Sequence, residues 1–255
     1  MEHKQIYGAV LLKADKILQF LSTSRKPQKL SEIANATGLT SSTALKILDT
    51  LLLIHYVEKD LESKTFRLGP AIMQYANKGI QQLDINQVAK PHLEKLQAHT
   101  TETVHLGIQD KGQIVYITKL ASNKPVSLYS EVGKGIPLYC SAMGKAVLAD
   151  QSDQEIDDYL SGISLVKKTA HTILSKEKLR EEIASIRHKG YAFDNGEHQE
   201  DVCCIGASIT VNGKTHGALS VSAPSYRVTP ESLQSMIEAV LTCKQTIRNE
   251  LQQEG

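Results

Sequence analysis

The chain of 255 residues has no apolar run that approaches the length of a membrane-spanning helix, which is roughly 18–20 residues. Its first residues, MEHKQIYGAVLLKADKILQF, do not follow the pattern of a secretory signal, because Lys13, Asp15 and Lys16 interrupt the apolar segment. We therefore expect a cytoplasmic protein with no membrane partner, in which the four cysteines stay reduced.

Common enzyme motifs are also absent from the sequence. It contains no internal repeat, no GxSxG elbow and no HExxH metal-binding motif. The segment GKGIPLYCSAMGKA has glycines and lysines, but it lacks the GxxxxGK[ST] spacing. Since Lys145 is followed by Ala146 and not by a hydroxyl residue, we exclude a nucleotide-binding P-loop.

The charge of the chain is unevenly distributed, although its total is only +1. Residues 1–80 contain 11 Lys and Arg against 7 Asp and Glu, a net charge of about +4. The remaining residues contain 18 against 21, a net charge of about −3. The basic first part favours an anionic partner such as nucleic acid.

The first 70 residues have the pattern of three helices followed by a β-hairpin. Apolar residues at helical spacing predict a first helix ending near Ser22, then a short helix capped by Ser31 and ended by Gly38. A third helix follows in LTSSTALKILDTLLLIHYV, and the segments YVEK and TFRLG alternate as hairpin strands do. This order of elements predicts a winged helix-turn-helix.

The third helix has the features of a DNA recognition helix. Such a helix enters the major groove by its N-terminal end, where small hydroxyl residues permit close approach to phosphates and base edges. Lysine and arginine on the wing would contact flanking phosphates. The predicted DNA-binding residues are Ser41, Ser42, Thr43, Lys46, Lys64 and Arg67. A protein–protein interaction module is the alternative interpretation of the same pattern.

The rest of the chain predicts an α+β domain with an antiparallel sheet. After a helical connector come the strand patterns TVHLGIQD, QIVYITKL and VSLYSEV, then the helical segment SAMGKAVLAD and a longer helix that stops at Gly190. The strands VCCIGASITV and HGALSVSA flank Asn212-Gly213, a strong hairpin signal. Thr229 and Pro230 begin the last helix. Hairpins interspersed with helices are typical of this fold class.

The stretch DNGEHQEDVCCIGASI allows three interpretations: a metal site, a thiol active site or the wall of a binding pocket. Adjacent cysteines on a strand point to opposite faces, so Cys203 and Cys204 do not readily share a metal ion. The acidic residues before Cys203 raise a thiol pKa, which disfavours a nucleophile. We therefore predict no metal, no cofactor and no catalytic residue, and we interpret Glu197, Glu200 and Asp201 as a solvated loop.

A pocket wall agrees better with the alternation of side chains along the strands. Alternation puts Cys204, Gly206 and Ser208 on one face of their strand, and Ser220 with Ser222 on one face of the next. A thiol beside two hydroxyl groups would form a small polar patch that orients a ligand. In the alternative, the two serines face solvent and Cys204 is a core residue. The pattern alone leaves both interpretations open.

Several segments, in their order and spacing, resemble the IclR family of bacterial transcriptional regulators. They are KADKILQFLS, LSEIANATGLTSSTALKILDTL, FRLG, PLYCSAMGKAVLA, GYAFDNGEHQEDVCCIGASI and GALSVSAPSYRV. The resemblance covers nearly the whole chain. It implies a winged helix-turn-helix domain in residues 1–70, a linker helix in residues 71–88 and a GAF-like effector-binding domain in residues 89–255. It also implies a homodimer or a homotetramer.

The resemblance further implies where a small carboxylate or sugar-acid effector binds. The implied polar contacts come from two strands and the stretch before them, the carboxylate lies at a helix N-terminus, and two apolar residues complete the wall. These residues are Asp194, Cys204, Ser220, Ser222, Ala142, Met143, Ile136 and Leu128.

Relatives often have a smaller residue in place of Met143 and an arginine in place of Lys46. The lysine favours a phosphate contact, since it lacks the bidentate fork that binds guanine.

Together the patterns and the resemblance predict a ligand-responsive transcriptional regulator, with repression as the predicted direction. Its partners would be a double-stranded DNA operator and the acid effector, and a dimer would place two recognition helices on a roughly palindromic site. We expect no enzymatic activity. The alternative is a thiol-dependent or metal-dependent enzyme with an appended helix-turn-helix.

Overall fold

The computed structural model describes residues 8–125 and 128–254. The chain divides into two compact units, Met1–Gln82 and Leu83–Gly255. No helix in the described part of the chain combines the length and the apolar character needed to cross a bilayer.

The first unit has the predicted winged helix-turn-helix fold. Its elements are α1 (Ala9–Thr23), β1 (Gln28–Lys29), α2 (Leu30–Thr37), α3 (Ser41–Leu53), β2 (Val57–Lys59), β3 (Thr65–Leu68) and α4 (Pro70–Gln81). The three strands form an antiparallel sheet in the order β1-β3-β2. The buried faces of α1, α2 and α3 form one core with residues of this sheet, around Ile17, Leu48 and Phe66. Burial of these apolar faces holds the short helices in place.

The start of α2 differs from the prediction, because Ser31 does not cap it. Lys29 pairs with Thr65 in the β1–β3 ladder and is therefore extended, so the helix begins one residue before Ser31. The Lys29 amide donates to the Glu32 carboxylate at 2.6 Å, which satisfies one free N–H at this end. Gly38, with a φ of 66°, ends α2 as predicted.

The second unit has the predicted antiparallel sheet with helices; the sheet has six strands, and helices cover both of its faces. Its elements are α5 (Asp84–Thr100), β4 (Thr103–Asp110), β5 (Gln113–Leu120), β6 (Gly135–Pro137), α6 (Ala142–Ala149), α7 (Asp153–Gly162), α8 (Lys176–Lys189), β7 (Ala192–Asn195), β8 (Val202–Val211), β9 (Lys214–Pro224) and α9 (Pro230–Glu254). The strand order is β6-β5-β4-β9-β8-β7. Helices α6 and α8 pack on one face, and α5 and α9 pack together against the sheet from the other.

Two tight turns connect the long hairpins of this sheet. Asn212 and Gly213 have φ values of 50° and 76°, which is the backbone that a two-residue hairpin turn requires, and they join β8 to β9 as predicted. Lys111 and Gly112 join β4 to β5 in the same way, with φ values of 45° and 76°. The predicted linker helix, residues 71–88, is not one continuous helix: it covers most of α4, which ends at Gln81, and the first turn of α5, which begins at Asp84.

The prediction of a strand over VSLYSEV is wrong for its described residues, 128–132, which form no strand. The carbonyl groups of Leu128 and Ser130 accept hydrogen bonds from the Lys119 ammonium at 2.9 and 2.7 Å, so they are not available to a strand ladder. The strand that pairs with β5 is instead β6, which the alternation did not reveal because it has only three residues.

Candidate functional site

A cavity of about 50 Å³ lies on the α6 face of the second unit. All eight residues that the resemblance assigns to a ligand pocket line it: Leu128, Ile136, Ala142, Met143, Asp194, Cys204, Ser220 and Ser222. The sequence analysis did not identify nine further lining residues: His105, Tyr116, Tyr129, Ser130, Lys134, Ser141, His198, Gln199 and Val202. A signal for two of them was present, since His105 and Tyr116 are polar residues within otherwise apolar strand patterns.

The register of the sheet brings residues that are distant in sequence into rows beneath the cavity. In one row Asp194 pairs with Cys204, and Cys204 pairs with Ser222. In the neighbouring row Ser220 pairs with His105. Directly paired residues lie about 5 Å apart and point to the same face. The predicted polar patch is therefore present, and both serines are buried instead of facing solvent.

The N-terminus of α6 forms a second wall of the cavity. Ser141 caps the helix, with its hydroxyl oxygen accepting from the Gly144 amide at 3.2 Å and its hydroxyl donating to the Pro137 carbonyl at 2.7 Å. A Cβ added at Gly206 of β8 would lie 2.7 Å from the Met143 nitrogen, so only glycine permits this close approach of helix and strand. The first amides of a helix have no acceptor within the helix and suit an anion.

Asp194 is a buried carboxyl group at the edge of this cavity. Strand β7, which the sequence analysis did not predict, places it opposite Cys204. Its Oδ1 accepts a hydrogen bond from the Glu197 amide at 2.7 Å. Burial raises the pKa of Asp194 to about 7, the Glu197 charge adds to this increase, and the amide bond and the Lys145 charge oppose it. The raised pKa lets this carboxyl group bind a proton near neutral pH.

Glu197 is not part of a solvated loop, contrary to the prediction. It is buried and forms an ion pair with the fully buried Lys145 of α6. The Lys145 ammonium also donates to the Phe193 carbonyl at 2.7 Å and lies 3.4 Å from Glu182. Burial raises the pKa of Glu197, and the Lys145 charge opposes the increase. Glu200 and Asp201 are exposed, as predicted.

The two adjacent cysteines point to opposite faces of β8, as alternation predicts. Cys204 lines the cavity and Cys203 does not. Burial raises the pKa of both thiols, and the charge of Asp194 raises them further. A thiol that stays protonated is a poor nucleophile.

Ser208 lies beyond the cavity, where its hydroxyl donates to Asp150 at 2.6 Å. Among the described residues, no group of three or more His, Cys, Asp or Glu side chains could hold a metal ion.

The segment before β6 closes one side of the cavity. Lys119 holds the carbonyls of Leu128 and Ser130, and the Ser130 hydroxyl lies 2.8 Å from His105 Nε2. At the rim, the Lys134 ammonium lies 4.9 Å from the centre of the exposed Tyr129 ring. The positive charge of Lys134 is thus at the solvent side of the cavity.

In the first unit, the predicted DNA-binding residues of α3 lie on its outer face. Ser41, Ser42 and Lys46 are exposed, while the opposite face of the helix is buried. Thr43 is half-buried, and its hydroxyl oxygen accepts from the Thr40 hydroxyl at 2.9 Å. Thr40 is the helix cap, so its contact with Thr43 fixes the first turn of α3.

On the wing, Arg67 forms an ion pair with a neighbouring side chain of the same hairpin. It lies directly opposite Glu58 in the β2–β3 ladder, and its guanidinium is 2.7 Å from the Glu58 carboxylate. Lys64, at the turn before β3, has a φ of 53° and is exposed. Of the two wing residues predicted to bind DNA, Lys64 is exposed and Arg67 has its charge compensated by Glu58.

Comparison with known families identifies both units. Residues 10–61 match the IclR helix-turn-helix domain, and residues 77–249 match the family described as bacterial transcriptional regulator IclR C-terminal. The chain belongs to the IclR family. This IclR-family chain is 31% identical to the HTH-type transcriptional regulator KdgR of Escherichia coli K12 over 93% of its own length and 90% of that protein.

Solved structures of IclR-family proteins have the same fold. The crystal structure of the Thermotoga maritima IclR is 29% identical and covers 96% of this chain and 99% of that one, with a TM-score of 0.76. A transcriptional regulator from Rhodococcus sp. RHA1 is 27% identical and covers 98% and 100%, with a TM-score of 0.85. The family is one of helix-turn-helix regulators of transcription, as the resemblance implies.

Proposed function

We propose that this IclR-family protein binds operator DNA through its first unit and that a compact carboxylic acid, bound in the cavity of the second unit, changes operator affinity. One observation carries the effector part of the proposal: the eight residues assigned by resemblance, from six separate segments, line one cavity. If the effector binds the DNA-binding and non-binding states of the protein with affinities that differ by about 1–3 kcal/mol, operator affinity would change 5–150-fold.

The charges around the cavity support an anionic ligand. The first turn of α6 contributes backbone N–H groups and the positive end of a helix dipole, and Lys134 adds a positive charge at the rim. Asp194 does not exclude an anion, because its raised pKa lets it bind a proton near neutral pH. A carboxylate over α6 would complete the hydrogen bonds of the first helical turn.

The size of the cavity favours a compact acid over a sugar acid. A volume of 50 Å³ holds about four water-sized groups, at roughly 10–15 Å³ for each. An acid of three to five carbons approaches this size once the surrounding side chains adjust slightly. Met143, which is buried and fills the space above Gly107, is one reason that the cavity is small.

For the DNA part of the proposal, α3 provides Ser41, Ser42, Thr43 and Lys46. We propose that the hydroxyl groups reach base edges or phosphates and that Lys46 contacts a phosphate. Lys64 on the wing would contact a flanking phosphate. Arg67 would contribute less than Lys64, because its charge is already paired with Glu58. A homodimer on a palindromic operator, and repression as the direction of control, stay predictions.

Two measurements test the proposal. Titration calorimetry would compare unbranched acids of two to six carbons and a six-carbon sugar acid on the full-length protein, its Ser222→Ala variant and an exposed control, Ser161→Ala. We expect a short acid to bind, Ser222→Ala to weaken it about tenfold and Ser161→Ala to have no effect. A gel shift with the protein's own promoter region would then show whether that acid changes DNA affinity. An acid that binds equally well to the Ser222 variant would contradict the assigned cavity.

A further inference from the structure

Leu45 is an apolar residue on the outer face of α3. The buried face of this helix consists of Ala44, Ile47, Leu48 and Leu51. Leu45 lies outside that face and is 37% exposed. Among the described residues of the first unit, it belongs neither to the buried core nor to the partly buried apolar residues that pack against the core. Its side chain therefore contributes little to holding the helices together.

Leu45 lies beside the hydroxyl residues that begin α3. Ser41 is four positions before it and Ser42 is three positions before it, and residues at these spacings are neighbours on the surface of a helix. Helical side chains lean toward the N-terminus, so the Leu45 side chain covers the turn before its own position. A recognition helix enters the major groove by its N-terminal end. In the proposed complex Leu45 would therefore lie close to the base edges.

The apolar side chain of Leu45 limits the chemical group that it can contact in the groove. Phosphates and the donor and acceptor atoms of the bases lose water beside a hydrocarbon group and gain no hydrogen bond from it. The C5 methyl group of thymine is the apolar group that base edges present in the major groove. Contact between this methyl group and the leucine side chain removes apolar surface of both from water, which favours binding.

The charge that follows on the same face favours a base contact over a backbone contact. Asp49 is exposed and lies four positions after Leu45. A carboxylate is repelled by DNA phosphates, whereas it can accept a hydrogen bond from the amino group of cytosine. Since hydroxyl residues precede Leu45 on this face and an acid follows it, the strip of α3 that contains Leu45 is better suited to base edges than to phosphates.

We infer that Leu45 is a specificity-determining residue whose side chain contacts the C5 methyl group of a thymine in the operator. The inference rests on the proposed binding of operator DNA by α3. It adds an apolar contact to the hydroxyl and lysine contacts of the same helix, and it requires a thymine at a fixed position of the bound sequence. A base without the methyl group at that position would be bound more weakly.

The test compares the protein's own promoter region with and without thymine methyl groups. One duplex contains thymine, and the other contains uracil at every thymine position, which deletes the C5 methyl groups and keeps the base-pairing atoms. Fluorescence anisotropy measures the affinity of the full-length protein for both. We expect wild type to prefer the thymine duplex by about fourfold for each contacted methyl group, the effect of burying one such group. Leu45→Ala should bind both duplexes equally.

Three further observations separate a methyl contact from a general disturbance of α3. Leu45→Met keeps an apolar side chain of similar size and should keep the preference for thymine. Leu174→Ala removes an exposed leucine from the second unit and should behave as wild type. A methyl contact releases no counterion, so Leu45→Ala should keep the wild-type slope of log affinity against log salt. Alanine is the best helix former and Leu45 is exposed, so we expect this variant to fold.

The possible results distinguish failure of the inference from failure of the proposed function. Equal affinity of wild type for the two duplexes, or a preference for thymine that survives in Leu45→Ala, overturns the contact. The second of these results would indicate that the methyl groups act through the shape of the DNA or through another side chain. In both cases the thymine duplex is still bound, so the proposed DNA binding stands. If wild type binds neither duplex at low salt, the proposed function fails together with the inference.

Discussion

Lys145, fully buried in α6, forms an ion pair with Glu197 in the loop that follows β7. The pair connects the helix whose first turn faces the cavity to the loop whose amide holds Asp194. Both side chains are buried away from water, so each depends on the other to compensate its charge. The contact therefore fixes the position of the cavity's acidic residue relative to its helical wall.

Replacement of Lys145 by methionine should destabilise the protein by about 3–5 kcal/mol, because it leaves Glu197 buried without a counter-charge. Urea unfolding of the full chain, followed by circular dichroism, measures the change. The double variant Lys145→Met with Glu197→Gln should recover part of the loss. Arg180→Ala provides the control, since Arg180 and Asp157 form an exposed pair that should contribute at most about 1 kcal/mol. Equal losses in the Lys145 and Arg180 variants would contradict this account.

Binding of a carboxylate should be accompanied by proton uptake at Asp194. A bound anion raises the pKa of Asp194 above its value of about 7, so the protonated form is the one that binds. Affinity should be constant well below pH 7 and fall by up to about tenfold per pH unit above it. Calorimetry in buffers of different ionisation enthalpy would measure the proton. Asp194→Asn should bind with an affinity that no longer depends on pH between 6 and 8, and a wild-type affinity that is flat over this range would contradict the prediction.

The folded state should also become less stable as pH rises toward 7, through the same group. Asp194 has a higher pKa in the folded protein than the ordinary 3.8, so the folded state binds more protons than the unfolded state between these two values. Its burial is therefore without cost below about pH 4, costs increasingly more between pH 4 and pH 7, and costs a constant amount at higher pH. The free energy of unfolding of Asp194→Asn, relative to that of wild type, should be higher at pH 8 than at pH 5. Urea titration of both proteins at the two pH values measures this change.

Operator binding should depend on Lys46 more than on Arg67. Lys46→Ala should weaken binding to the protein's promoter region and reduce the slope of log affinity against log salt by about one. Arg67→Ala should have a smaller effect, and Glu58→Gln should strengthen binding, since it releases Arg67 from its ion pair. Lys214→Ala, at the exposed first residue of β9, is the charge-matched control. Fluorescence anisotropy at several salt concentrations measures all four, and an unchanged slope for Lys46→Ala would exclude its contact with a phosphate.

A methyl group at Gly206 should damage the cavity. The new Cβ would lie 2.7 Å from Met143 N and would push the start of α6 away from β8. We expect a stability loss of about 1–3 kcal/mol and a loss of acid binding. Gly162→Ala at the end of α7, where an added Cβ meets nothing within 4 Å, should leave binding intact. Thermal unfolding and calorimetry distinguish the two variants.

Much of the fold could be predicted because its signals are local. The alternation of β4, β5 and β8 and the Asn212-Gly213 turn are visible in a few consecutive residues, and these elements were predicted correctly. Strands β6 and β7 were not predicted, because a segment of three or four residues forms a strand only when a neighbouring strand pairs with it. The strand predicted around Leu128 is absent from the described residues for a related reason: a lysine from another strand binds its carbonyl groups.

The cavity was predictable only in part. The resemblance identified residues that the structure places together, whereas alternation alone left Ser220 and Ser222 either buried or exposed. His105 was missed although it is a polar residue in a strand pattern, because that signal does not show whether its face of the strand lines a cavity. Glu197 was misplaced because its partner, Lys145, lies 52 positions away in the sequence. Such a pairing depends on the packing of α6 against β7 and leaves no local signal.

The alternation of β8 gives the two faces of one strand different surroundings. Cys204 and Gly206 face the cavity, whereas Cys203 and Ile205 face the opposite side, where α9 packs. A substitution at Cys204 can therefore change which molecule is recognised without disturbing the packing beneath it. Under the proposed function, one or two substitutions on this face would give the protein sensitivity to a different acid, while the opposite face keeps the packing of β8 against α9.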